Sequence, residues 1–301
     1  MENPTEKRRS YQLNKERKVY YPTPLISGSL PYVETSATIW ERTNGRDVMR
    51  YSAGAIIYPD GTCGHVLPYG SYARHALVFL TTEAVRTGST RISLKDSLRG
   101  FMKQVGLPYS ARNAAQLLEQ LRRIAALTVD YTAVSKASES VTVEQAGYRV
   151  GIRQRLTFSA DGDLGEGGGE NFIELSRDFA ALVLGLDEEN RHTMPIDLER
   201  WGELTSSTKS PLAFDLWLWL ELRDNSLEKP VKISWEQLRQ QFGSQAEEMR
   251  VFKQKFKTAL KTALEHSPKA TAIELGNVRG KAKGFKGLEI KPNKGTQGKL
   301  L

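Results

Sequence analysis

One order of elements occurs twice along this chain, and that duplication constrains the fold more than any other feature. An apolar helix, a short Ile-Ser turn and a second amphipathic helix are followed by a third helix dotted with Lys and Arg and by a two-strand ribbon. In the first copy the spacing predicts helices over 72–87, 95–105 and 112–127, with Ile92-Ser93 as the turn and strands from Thr128. In the second it predicts helices over 212–223, 235–242 and 247–265, with Ile233-Ser234 as the turn and strands over 271–278 and 288–291. Helix, helix-turn-helix and ribbon in that order make a winged helix. The expected fold class is therefore α+β: two tandem winged-helix domains with a flexible N-terminal arm. A chain of 301 residues has room for this arrangement. The expected boundaries are a partly disordered arm over 1–44, polar and proline-broken, a first domain over 45–192 and a second over 193–301.

Charge points to the partner. The net charge is +8, and residues 279–301 hold seven Lys or Arg against one acid, Glu289. Such a stretch gains affinity for a polyanion by releasing counterions, although a basic tail also serves solubility. The 247–265 helix sharpens the reading. Phe252, Phe256, Ala259, Leu260 and Ala263 share one face, and Arg250, Gln254, Lys257 and Lys261 share the opposite one. An apolar face for the core and a cationic face with an amide for phosphates and base edges suit a major-groove helix. Lys253 joins the candidate DNA contacts of this helix. The ribbon tip over 279–287 alternates Gly with Arg279, Lys281, Lys283 and Lys286 around Phe285, which suits close approach to a sugar-phosphate backbone. In the first copy Arg112, Arg122 and Arg123 are expected to point outward with Glu119 among them, so that helix serves either DNA or a second copy of the chain.

Other chemistries find little support. Residues 161–170, DGDLGEGGGE, lack the Gly-Lys-Ser/Thr that a phosphate loop needs and read as a hairpin tip. Phe214, Trp217 and Trp219 could stack bases, but interleaved leucines favour a buried helix. Cys63 and His65 are too few for a zinc site, and one cysteine excludes an internal disulfide. No His-x-His lies near a Tyr to support metal-assisted nicking. No catalytic residue, metal or cofactor is expected. No apolar run reaches the roughly 18 residues of a membrane span, and the charged N-terminus does not read as a signal peptide, so the chain is expected inside the cell.

Several ordered blocks between Asp47 and Pro292 resemble the RepA-type plasmid replication initiators. They are Leu67-Pro68-Tyr69-Gly70-Ser71-Tyr72 with Arg74, the stretches 80–87 and 94–106, and Gln120-Leu121-Arg122-Arg123. In the second half they are 212–223, Ile233-Ser234-Trp235 and Gln241-Phe242-Gly243. Where that family often approaches the first recognition helix through a Gly-Gly-rich segment, this chain has Pro108-Tyr109-Ser110-Ala111-Arg112. The resemblance implies a bacterial cytoplasmic protein that binds repeated double-stranded sites at a plasmid origin and helps melt the A·T-rich DNA beside them. It further implies recruitment of the host initiator and replicative helicase, and a homodimer, able to repress its own gene, in equilibrium with monomers that start replication. A winged-helix transcriptional regulator is the alternative; it would bind DNA without opening it.

Overall fold

The computed structural model describes residues 17–58, 60–136, 140–157, 170–185, 192–243, 248–267, 271–275 and 285–291. The chain begins with β1 (Lys18–Pro22) and a 3-10 turn over Thr23–Ile26. It continues through β2 (Ile39–Asn44), β3 (Asp47–Ser52), β4 (Ala55–Ile57) and β5 (Cys63–His65). The first winged-helix set is α1 (Gly70–Thr87), β6 (Arg91–Ser93), α2 (Lys95–Gln104) and α3 (Ala111–Ala126). After it come β7 (Thr128–Lys136), β8 (Val141–Arg149), β9 (Gly151–Arg155), β10 (Phe172–Leu175) and α4 (Arg177–Leu184). Strand β11 (Thr193–Asp197) and helix α5 (Leu198–Ser207) lead into the second set. That set is α6 (Pro211–Ser226), β12 (Val231–Ser234), α7 (Trp235–Phe242), α8 (Met249–Glu265), β13 (Thr271–Leu275) and β14 (Gly287–Lys291).

Local chemistry sets the helix ends. Ser110 accepts from the Asn113 amide at the start of α3, and Ser234 forms a capping box with Gln237 at the start of α7. Helix α6 opens on Ser210 followed by Pro211, where a missing N–H costs nothing.

The two Ile-Ser pairs are strands rather than turns. Ser93 and Ile92 pair with Phe172 and Ile173, and Ser234 and Ile233 pair with Gly287 and Leu288. The sheet orders β6–β10–β9 and β12–β14–β13 are therefore equivalent, each with the strand before the second helix added to the ribbon. Burying Ile92 and Ile233 supplies the reason, because a buried backbone needs ladder partners. The first unit also carries an elaboration. Strands β7 and β8 extend the hairpin β2–β3 into a four-stranded sheet, so the ribbon that completes the first winged helix is β9–β10 and not the strands that start at Thr128. Helix α8 begins at Met249, and the two halves are joined through the strand β11, which ends at Asp197, and then α5.

The expected arm over 1–44 needs shortening. Residues 1–16 lie outside the described residues, but β1 pairs in register with β11, from Lys18 with Asp197 to Pro22 with Thr193. Val19, Tyr21, Leu25, Ile26 and Leu30 are buried. These apolar side chains fall in short clusters broken by Pro22 and Pro24 and so show no period, yet each finds a place in the core.

That core runs without a break through both units. Its centre is an ion pair between the two apolar helices. Arg74 of α1 donates from Nε to Asp215 Oδ1 of α6 at 2.8 Å and from Nη2 to Oδ2 at 2.6 Å. The remaining donors reach the carbonyls of Pro31 and Gly70 at 3.0 Å and of Leu30 at 2.8 Å. All five guanidinium N–H groups are thus satisfied. Burial alone would lower the Arg74 pKa, but Asp215 outweighs it and holds it above the ordinary arginine value. Next to this pair His75 packs edge-on against Trp201 at 5.4 Å and Phe214 at 5.1 Å. The aromatics of α6, Phe214, Trp217 and Trp219, are all buried. Among the described residues no helix is long and apolar enough to cross a membrane.

Two outcomes follow from this junction. Asp215→Asn leaves a buried guanidinium without its countercharge and is expected to destabilise the fold by about 3–5 kcal/mol in urea titrations. His75, pushed down to about 3 by burial, stays neutral in the folded chain while the unfolded one takes up a proton near 6.5. Stability is therefore lost as pH falls below that value. Between about pH 7.5 and about pH 5 this one group removes about 2 kcal/mol, and His75→Leu is expected to abolish that part of the acid sensitivity.

Candidate nucleic-acid interface

Helix α8 docks through one side only. Phe252, Phe256, Ala259, Leu260 and Ala263 are buried, with Phe252 and Phe256 edge-on to Trp235 at 6.4 Å and 5.7 Å. The opposite side presents Arg250, Gln254, Lys257 and Lys261 to solvent, with Lys253 half-buried beside them. These are the groups expected from the spacing, and the helix brings them to one surface. One feature was invisible along the helix: Lys257 Nζ lies 2.8 Å from Glu274 Oε1 of β13. Lys253 and Lys257 also sit over the Trp235 ring at 5.4 Å and 5.7 Å, so their stems are partly anchored. Of the ribbon tip, Lys286 is described and exposed beside Phe285, whereas Arg279, Lys281 and Lys283 lie outside the described residues.

The first unit departs from expectation. Arg112 is exposed at the start of α3, but Arg122 and Arg123 are buried, with 6% and 8% of their surface accessible. Arg122 pairs with Glu119 at 3.3 Å, donates to the Ile57 carbonyl at 2.7 Å and lies over Tyr58 at 4.9 Å. Arg123 binds Glu119 at 2.8 Å and Glu34 at 2.9 Å, and its ring neighbour is Tyr69 at 5.1 Å. Burial by itself favours neutral Arg123, but hydrogen bonds to Glu119 and Glu34 raise its pKa beyond that penalty. The hairpin β4–β5 and two separate segments, one carrying Glu34 and the other Tyr69, cover this end of α3. Neither arginine can meet a phosphate in this fold, and both are corrected from candidate contacts to structural groups.

The open part of α3 is its first two turns, where Gln116 is exposed along with Arg112 and Asn113 is half-buried between them. Just before them Tyr109 is 56% exposed with Arg99 stacked on its ring at 4.7 Å. Strand β9 adds Arg153, Gln154 and Arg155, all exposed, with Arg153 and Arg91 over Phe172 at 5.5 Å and 3.7 Å. Sequence reasoning missed these groups. The amides Asn113 and Gln116 ahead of the Leu117-Leu118 core positions, and the polar run that follows Ile152 in β9, were the signals that could have found them. Among the described residues no three His, Cys, Asp or Glu side chains gather as metal ligands.

The fold and surface so defined have known counterparts. The family described as plasmid encoded RepA protein matches residues 67–237, more than half of the chain. A selenomethionine crystal structure of domains 2 and 3 of RctB is similar over 90% of this chain and 98% of its own, with a TM-score of 0.54 and 14% identity. A second crystal structure of RctB domains 2–3 covers 89% and 96%, with a TM-score of 0.50 and 13% identity. At such identities the likeness is one of fold. No curated protein sequence matches the chain.

The two roles assigned to arginines on α3 separate in a stability measurement. Glu119→Ala strips a partner from both Arg122 and Arg123 and is expected to cost about 1–3 kcal/mol. Arg112→Ala, at an exposed position, is expected to change the unfolding free energy by less than about 0.5 kcal/mol.

Proposed function

This chain belongs to the plasmid-encoded RepA proteins, and on that premise we propose that it starts plasmid replication by binding repeated duplex sites at the origin. The observation that carries the reading is the one-sided helix α8, apolar toward the core and cationic with an amide toward solvent, beside the β12–β14–β13 sheet. Arg250 and Gln254, near its first turn, are the groups suited to base edges. Lys257, Lys261 and Lys286, with Arg279, Lys281 and Lys283 of the ribbon, are suited to phosphates. In the first unit Arg112 takes the corresponding place on α3. The chain acts as a binding and opening protein for A·T-rich DNA, recruits the host initiator and helicase, represses its own gene as a dimer, and hydrolyses no nucleotide itself.

Dimerisation fits the outer strand of the four-stranded sheet. Among the described residues strand β8 stands at the edge, with Val141 and Val143 exposed at 59% and 61% and one row of backbone groups facing away from β7. Such an edge is ready to pair with the same strand of a second copy.

Lys257→Glu combined with Lys261→Glu is expected to abolish origin binding in gel-shift assays while circular dichroism stays that of the wild type. Removal of one phosphate contact is expected to flatten the salt dependence of log K by about one unit. Undiminished affinity in a folded double variant removes α8 from the interface. Permanganate reactivity of A·T-rich origin DNA on protein addition distinguishes an initiator from a regulator, which leaves the duplex closed.

A further inference from the structure

The end of α7 is gripped from outside its own unit. Arg42 of β2 donates from Nη1 to the carbonyl of Gly243, the residue that ends α7. Its Nε donates to the carbonyl and hydroxyl of Ser29, both at 3.2 Å. Ser29 Oγ donates in turn to the Gln241 carbonyl at 3.1 Å, and Gln241 Nε2 donates to the Ser27 carbonyl at 3.2 Å. The Arg42 side chain lies over Trp40 at 4.3 Å, and the residue is only 3% exposed.

This is an unusual way to bury a cation. Desolvation lowers the Arg42 pKa, and among the described residues no carboxylate forms an ion pair with it. Its acceptors are Ser29 and the end of α7, where unsatisfied helix carbonyls carry partial negative charge. Next to Gly243 the last residue of α7, Phe242, packs on Phe256 of α8 with ring centroids 5.8 Å apart, and Gly243 itself lies so near α8 that an added Cβ would stand 3.1 Å from Phe252 Cδ2. Phe252 is the first buried anchor of α8.

We propose that Arg42 is a positioning residue for base reading. From the first unit it fixes the angle at which α8 presents Arg250 and Gln254, without touching DNA. The idea rests on the reading of α8 as the base-reading helix. Apolar packing holds α8 to its own core but is not directional, so it tolerates small rotations of the helix. Hydrogen bonds from a buried guanidinium to the end of α7 are directional and charge-assisted. Flexible lysines on phosphates accommodate a tilt of the helix, whereas bidentate contacts to base edges do not. Loss of Arg42 therefore costs selectivity and spares the general grip on DNA.

The test compares full-length wild type, Arg42→Gln and Arg42→Lys on the origin repeat and on a scrambled duplex of equal length. All are measured at one salt concentration and at a temperature where circular dichroism finds them folded. Arg42→Gln is expected to lower the ratio of the two affinities about tenfold with binding to scrambled DNA unchanged. Arg42→Lys is expected to fall between, since one ammonium reaches Gly243 without forking to Ser29, and it carries the comparison if Arg42→Gln does not fold. An unaltered ratio beside a discriminating wild type overturns the positioning role, and so does an equal loss on both duplexes. A wild type that binds both duplexes equally overturns base reading by α8 itself, and the positioning role falls with it.

Discussion

The pairing of Arg74 with Asp215 is the constraint on which the rest of the molecule depends. A guanidinium and a carboxylate withdrawn from water are costly unless every polar atom finds a partner. Here the five donors of Arg74 reach Asp215, Gly70, Leu30 and Pro31. Those acceptors belong to α6, to the start of α1 and to the segment before β2. Three parts of the chain, separated by up to 141 positions from Arg74, can satisfy this set only by meeting in one geometry. Around it Trp201, Phe214 and His75 close the joint with ring contacts. The two winged helices are consequently one body with a shared core, not two modules on a tether.

The N-terminal segment works as the strap of this body. Strand β1 closes on β11, just ahead of the second unit. Ser29 and Arg42 then hold the end of α7, so the same segment that completes the Arg74 site also touches the second helix-turn-helix. Disturbance at either place is bound to be felt at the other, because both draw on the carbonyls and side chains between Ser27 and Tyr32.

The units are alike in core and different in what they expose. In the second, α8 leaves Arg250, Gln254, Lys257 and Lys261 exposed. In the first, the hairpin β4–β5 and Glu34 cover the last turns of α3, and the added strands β7 and β8 build a four-stranded sheet that has no counterpart in the second unit among the described residues. Equivalent helices thus offer a long polar face in one case and only two turns in the other. The proposed division of labour, with base reading centred on the second unit and assembly on the first, draws on this difference.

The duplicated order of helices was legible in the sequence because each helix buries one face. Phe252, Phe256, Leu260 and their counterparts Leu117, Leu121 and Ile124 announce themselves at helical spacing. The cationic side of α8 was legible for the same reason, being the complement of that pattern. What periodicity along one helix cannot register is what comes to lie over it. Arg122 and Arg123 carry the same charge as Lys257 and Lys261, yet Tyr58, Tyr69 and Glu34 from distant segments turn them inward. Strand pairings of Ile92 with Ile173 and Ile233 with Leu288 join residues far apart, so two-residue fragments that read as turns became edges of sheets. Residues 18–44 read as an arm since a strap that supplies a few buried side chains and carbonyls to other elements needs no period of its own. The sequence by itself determined the elements and the charge they carry; only the tertiary structure decided which charges face water, because burial is a property of neighbours that the chain brings from elsewhere.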